Sequence, residues 1–247
     1  MKFRFLAFVA VMAFFGSCNQ PAQWVSLFNG VDLSGWHVEC REQDRVKTYW
    51  QVEDSTILCN SLGDKDHHYV WLVSDKEYED FILSFRFQAY RESTGNSGVQ
   101  FRSHYDQALD GGWLNGPQID IHPKEPKTWR TGLLYDETFE VQRWLYPARQ
   151  NWSIPDEYAP AEHIFKFADE GDGWNEMVII CRGTHIKTIV NGITRTDWNG
   201  EGLRGLLNLH TGGIRISKAV SRWRTGMSIC VRICSARHLR GQRDSDL

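Results

Sequence analysis

The 247-residue sequence predicts an all-β fold, a β-sandwich of two antiparallel sheets. Three observations predict it. Between Trp24 and His210, runs of four to eight residues alternate apolar and polar side chains. Gly, Asn, Asp and Pro bound those runs, and no stretch carries the apolar period of a long amphipathic helix. Aromatic residues make up 13% of the chain, and these side chains favour pleated, half-buried surfaces. The balance of 41% hydrophobic and 24% charged residues excludes wholesale disorder and a multi-span membrane protein. Twenty-eight Lys and Arg stand against 31 Asp and Glu, a net charge of −3 that offers nucleic acid no electrostatic footprint.

The first residues read as an export signal. Met1-Lys2-Phe3-Arg4 is a basic start, Leu6 to Phe15 is apolar but too short to span a bilayer, and Gly16-Ser17 precede Cys18. Small residues directly before a Cys at the end of an apolar run predict a lipoprotein-type signal over 1–17, with Cys18 acylated. Ordinary cleavage near Ser17, leaving Cys18 a free thiol, is the alternative. A linker over 18–23 and a single domain over 24–240 follow. The mature protein is then expected in the cell envelope, on the periplasmic or outer-membrane face, with the membrane as partner through its lipid. The five other cysteines include no C-x-x-C pair. Export permits a Cys40–Cys59 bridge; buried free thiols are equally consistent.

Taken in order, the strands begin most clearly at Phe81-Ile82-Leu83-Ser84-Phe85-Arg86-Phe87, where every odd position is large and apolar. Val99–Arg102, Gln118–His122, Glu176–Cys181, His185–Val190 and Leu207–His210 follow. Asn191-Gly192 after an apolar strand signals a hairpin. Period two also sorts the faces. Val99, Phe101, Ile119, Ile121, Leu207 and Leu209 point one way, toward a core with Trp24, Trp36 and Phe81. Gln100, Arg102, Gln118, Asp120, His122, Asn208 and His210 point the other way. Amide, guanidinium, carboxylate and imidazole groups hydrogen-bond sugar hydroxyls and move protons. If the strands are neighbours, these residues line one polar, water-filled groove.

Several ordered strings carry a resemblance. Ser26-Leu27-Phe28-Asn29-Gly30-Val31-Asp32-Leu33-Ser34-Gly35-Trp36 opens them, followed by Tyr78–Phe81, Asn96–Arg102, Gly116–His122, Arg130–Thr138, Trp174–Glu176, Val190–Gly192 and Leu209–Gly212. Together they resemble the 3-keto-disaccharide hydrolase domain family, whose members look like concanavalin-type jelly rolls and are often exported lipoproteins. Many members carry a Glu near position 117, where this chain has Pro117. Either Asp120, Asp136 or Glu137 supplies that carboxylate, or the activity is absent.

The resemblance implies a saccharide substrate carrying a ketone at C3. The ketone acidifies the C2 proton, so a base can form an enolate that expels the C1 leaving group, with water added afterwards. Such a site needs a base, an electrophile for the enolate oxygen and an acid for the leaving group. His122 and His210 are candidate bases. Asp120 and Asp136 can act as base, orient a His, or join His122 around a divalent metal ion. Arg102 is the candidate cation for developing negative charge, and Gln100, Gln118 and Asn208 the candidate ligands of sugar hydroxyls. Asp136-Glu137-Thr138 also reads as turn chemistry. Trp129 and Trp144 suit either stacking on sugar or packing. A two-carboxylate glycosidase using Asp120 with Asp136 or Glu137 stays open, as does a non-catalytic sugar-binding module.

The C-terminus differs in character. Residues 214–247 hold eight Lys and Arg against two Asp, a charge of +6 at the end of an otherwise acidic chain. Met227–Ile233 partly restores the alternation and is the candidate closing strand; a change of reading frame after about Gly213 is the other account of this tail.

Overall fold

A computed structural model describes residues 24–64, 66–91, 97–122, 128–146 and 166–200, with the backbone strands at 212–217, 223–225 and 230–233. Among these residues the regular structure is β-strand apart from two single-turn 3₁₀ helices, Glu42–Asp44 and Thr128–Arg130. Every strand pairing is antiparallel.

One sheet runs, in spatial order, β15 (Ile193–Asn199), β14 (His185–Val190), β13 (Asn175–Arg182), β6 (Phe81–Ala89), β17 (Trp223–Thr225), β4 (Thr56–Cys59) and β3 (Trp50–Glu53). Strand β18 (Cys230–Ile233) joins it between β6 and β1 (Trp24–Ser26). The facing sheet runs β12 (Arg143–Tyr146), β11 (Leu134–Asp136), β10 (Pro117–Ile121), β7 (Ser97–Gln100), β16 (Gly212–Ser217), β5 (Val70–Tyr78) and β2 (Trp36–Cys40). A separate ribbon pairs β8 (His104–Asp106) with β9 (Trp113–Asn115). The Met227–Ile233 stretch thus contains a paired strand, and β16, at the head of the basic tail, fills the ladder between β7 and β5.

The alternation of the sequence is the packing of the core. Phe81, Leu83, Phe85 and Phe87 are all buried on one face of β6, opposite Met177, Ile179 and Cys181 of β13 in the same row. From the facing sheet come Leu72, Val99, Ile119, Ile121 and Leu134, all in the same apolar cluster. Phe81 meets Phe101 edge to face at 5.9 Å. Each such side chain contributes on the order of 1.5–3 kcal/mol by leaving water. Trp36 and Phe81 lie in the core as expected; Trp24 does not, being 46% exposed on the short strand β1. Asn191 and Gly192 both take positive φ, 48° and 82°, and close the β14–β15 hairpin. Cys40, Cys59 and Cys181 are buried free thiols, so the Cys40–Cys59 bridge is not formed.

Outside the sandwich, the β8–β9 ribbon lies over the outer face of the second sheet. Trp71 and Val73 of β5 and Leu114 of β9 form a small apolar cluster there, with Tyr69 and Tyr105 against it. Tyr105 donates its hydroxyl to the Cys40 carbonyl at 2.8 Å, fixing the ribbon to β2. Burial, with the nearby Glu39 carboxylate, pushes that hydroxyl up to about 12 against the opposing charges of Arg45 and Arg41.

Candidate functional site

The site is built on β10. Its odd positions, Ile119 and Ile121, enter the core, so Gln118 and Asp120 project from the opposite face. Gln118 pairs with Gln100 of β7 on one side and Tyr135 of β11 on the other, and Asp120 pairs with Gly98. A Cβ on Gly98 would stand 2.7 Å from Gln118 Cγ and Cδ, so the bare glycine is what lets the Gln118 side chain lie across β7. From there the Gln118 amide donates to two carboxylates, Asp120 Oδ1 at 2.6 Å and Glu137 Oε1 at 3.1 Å. Gln118 is fully buried, and Asp120 and Glu137 are 3% and 5% exposed. Two desolvated carboxylates therefore share one amide donor.

Glu137 arrives just past β11. Its N–H donates to the Gly116 carbonyl at 2.9 Å, and its own carbonyl accepts from the Trp113 indole at 2.8 Å, so the ribbon also fixes this turn. The wall on the other side comes from the 128–132 loop and β12. Trp129 and Trp144 lie 6.3 Å apart, and Tyr135 meets Trp144 edge-on at 4.9 Å. The Arg130 guanidinium stands over both indoles, 5.4 Å from Trp129 and 5.8 Å from Trp144. Burial pulls the Arg130 cation below its usual value, with the charges of Asp120 and Tyr135 acting in the opposite sense. His122 follows β10, buried, its N–H donating to Thr131 Oγ1 at 3.0 Å.

Of the residues expected from sequence, the structure brings together Gln118, Asp120, His122, Glu137 and Trp144; the first four are buried and Trp144 is half-buried, so among the described residues they do not form an open, solvated face. Trp144 packs on Trp129 and Tyr135 and supports Arg130. Three expected residues go elsewhere. Arg102 takes φ 50°, which turns it out of the β7 alternation. Its guanidinium donates to the Glu79 carbonyl at 2.7 Å, the Gly183 carbonyl at 2.5 Å and Asp80 at 2.9 Å, tying two turns together. Gln100 accepts from the Trp71 indole at 2.9 Å and donates to the Leu114 carbonyl at 3.1 Å, so it anchors the ribbon under full burial. Asp136 stands opposite Pro117, out of phase with Gln118, accepting from the Thr138 N–H at 3.1 Å with Arg143 3.6 Å away. Turn chemistry is its role.

The cation of the cluster is therefore Arg130 and not Arg102; Arg130, Thr131 and Tyr135 fall within the Arg130–Thr138 string, where a turn and a three-residue strand give no periodicity to mark them. Cys18, Asn208 and His210 lie outside the described residues. Among the described residues, no three His, Cys, Asp or Glu gather closely enough to hold a metal ion.

Two packed antiparallel sheets, with a buried carboxylate pair, a half-buried arginine and an indole wall on one of them, define a jelly-roll β-sandwich, and its relatives make it a carbohydrate-active one. The family model described as the 3-keto-alpha-glucoside-1,2-lyase-like domain matches residues 23–221, and the chain belongs to that family. Among solved structures it is similar to a proposed glycosyl hydrolase of Parabacteroides distasonis ATCC 8503, with 16% identity and a TM-score of 0.55 over 86% of this chain and 94% of that one. A Bacillus subtilis protein with a galectin-like fold aligns at 12% identity and TM-score 0.52 over 85% and 98%. A Bacillus licheniformis β-glucanase aligns at 9% and 0.50 over 87% and 100%. At such identities the likeness is one of fold. No curated protein matches the chain.

Proposed function

We propose that this protein cleaves 3-keto-glycosides by removing the C2 proton, eliminating the C1 substituent and adding water. The observation that carries this reading is the Asp120–Gln118–Glu137 arrangement beside Arg130. One carboxylate takes the C2 proton as the C2–H electron pair forms the enolate, whose oxygen faces the Arg130 cation. The enolate collapses, the C1–O bond breaks toward the leaving oxygen, and the second carboxyl group, which enters the cycle as the neutral acid, delivers its proton to that oxygen. Water then adds across the C1–C2 double bond and restores a 3-keto sugar. A cation in a partly desolvated setting opposes the developing enolate charge more strongly than it would in water. Burial of both carboxylates also keeps bulk water from quenching the enolate. Cys18 and the signal preceding it support an envelope location with a lipid anchor.

The test is incubation of the purified protein with a 3-keto-glucoside bearing a chromogenic aglycone, with and without chelator. Asp120→Asn keeps an acceptor for Gln118 but removes the base, so release of the aglycone should fall by about 10²–10⁴-fold without unfolding. Wild-type protein that binds the sugar and releases no aglycone would make it a binding module instead.

A further inference from the structure

We propose that Arg195 and Thr196, on an edge strand of the opposite sheet, are positioning residues for Arg130; the proposal rests on the catalytic reading above. Both side chains are buried although adjacent residues of a regular strand point to opposite faces and this strand lies at the sheet edge. The reason is a bulge. In the β14–β15 ladder Thr188 pairs with Thr196 and Ile189 with Thr194, leaving Arg195 as the extra residue. A bulge re-aims side chains, and here both reach the 129–132 loop.

That loop is held by its carbonyls. Arg195 Nη2 donates to the Trp129 carbonyl at 2.5 Å and Nε to the Thr131 carbonyl at 3.2 Å. Thr196 Oγ1 donates to the Gly132 carbonyl at 2.8 Å. The guanidinium thus spans Arg130, gripping the residues before and after it and leaving its side chain to the indoles. Gly132 makes the approach feasible: its φ is 86°, and a Cβ there would stand 2.7 Å from Arg195 Cβ and 2.8 Å from Val190 Cγ2. The same loop feeds back to β10. The Gly132 N–H donates to the Asp120 carbonyl at 2.8 Å, the Asp120 N–H to the Leu133 carbonyl at 2.9 Å, and Thr131 Oγ1 accepts from His122. One clamp from the far sheet therefore sets the backbone of both the cation and the carboxylate strand.

The test compares Arg195→Lys, Arg195→Met and Thr196→Val, each alone and with Arg130→Lys. Arg195→Lys keeps charge and stem but loses the two-pronged grip; Thr196→Val removes one hydroxyl and guards against a variant that fails to fold. Turnover of a 3-keto-glucoside should fall on the order of 10²-fold in kcat for Arg195→Met with KM little changed, because a displacement of about 1 Å has that cost. With Arg130→Lys present, Arg195→Met should add less than roughly threefold, since both act through one group. Hydrogen exchange should show the Gly132 and Leu133 amides losing protection while those of β13 keep theirs. A kcat within roughly threefold of wild type, or equal effects with and without Arg130→Lys, overturns the clamp. If the wild type turns over no 3-keto-glucoside, the catalytic reading fails. Exchange then decides the clamp alone: lost protection at Gly132 and Leu133 upholds it, and retained protection overturns it.

Discussion

Replacing Gly98 by Ala tests how tightly the carboxylate pair is held. The added methyl would lie 2.5 Å from the Ile119 carbonyl oxygen and 2.7 Å from Gln118 Cγ and Cδ. These are closer than non-bonded atoms approach, so β10 or the Gln118 side chain must retreat by roughly 0.5–1 Å. The Gln118–Glu137 hydrogen bond is already 3.1 Å long and breaks under such a shift, because N–H···O bonds rarely exceed about 3.2 Å. Overpacking costs about 1–3 kcal/mol, and loss of a hydrogen bond to a charged group about 1.5–3 kcal/mol. The variant should therefore lose about 3–5 kcal/mol of unfolding free energy, which leaves a domain of ordinary stability folded at 25 °C. Urea denaturation measures that loss, and aglycone release from a 3-keto-glucoside should fall at least tenfold. Gly171→Ala is the control, since a Cβ there meets nothing within 4 Å and carries only the strain of φ 58°, about 1–2 kcal/mol. A Gly98→Ala protein that melts and turns over like wild type would refute the argument that bare backbone at this position locks Gln118.

Arg102→Met should lower stability by about 3–5 kcal/mol in urea titration, because it strands buried Asp80 and two carbonyls, while KM for the sugar in the folded protein stays unchanged. Lys47, Tyr49 and the Asp66 N–H hold the Asp64 carboxyl well below the usual carboxylate range. A depressed folded value means that stability is fully present above the unfolded value near pH 4 and is lost as pH falls from there. Asp64→Asn should therefore flatten the decline of Tm between about pH 4 and pH 2, read by thermal denaturation. Burial pushes the thiols of Cys40 and Cys59 up and that of Cys181 up to about 12. Iodoacetamide at pH 8 should then leave all three unmodified in native protein and alkylate them in urea, as peptide mapping would show.

Much of the fold was legible because period two is a strong signal wherever one face is buried. The Phe81–Phe87 run, the Asn191-Gly192 turn and the inward phase of Ile119 and Ile121 follow from that rule alone. The site was legible only in part, for three physical reasons. Alternation says which face a residue leaves but not what lies above it, and the β8–β9 ribbon that occupies Gln100 has only three residues per strand. Phase carried past a strand end fails when the backbone turns, which is how the positive φ of Arg102 took its guanidinium out of the groove. Arg130 sits in a single 3₁₀ turn, where no periodicity exists to read, and Glu137, also past a strand end, was legible from the resemblance alone. Nor does the β15 bulge announce itself, since Thr194-Arg195-Thr196 reads as ordinary polar strand.

The exchange of Arg102 for Arg130 bears on the choice between an enzyme and a binder. Arg102 is buried and Arg130 half-buried, and Arg102 spends every assigned contact on backbone and Asp80, the economy of a structural brace. Arg130 instead rests on two indole faces, with the charge of Asp120 favouring its cationic form. Asp120 and Glu137 both accept from the Gln118 amide. Burying charge is costly, and the proposed reaction gives that cost a use. A reaction whose charge appears on an enolate and is discharged at a leaving oxygen gains from it directly, since fixed charges in a dry site act on that developing charge without first reorganising water.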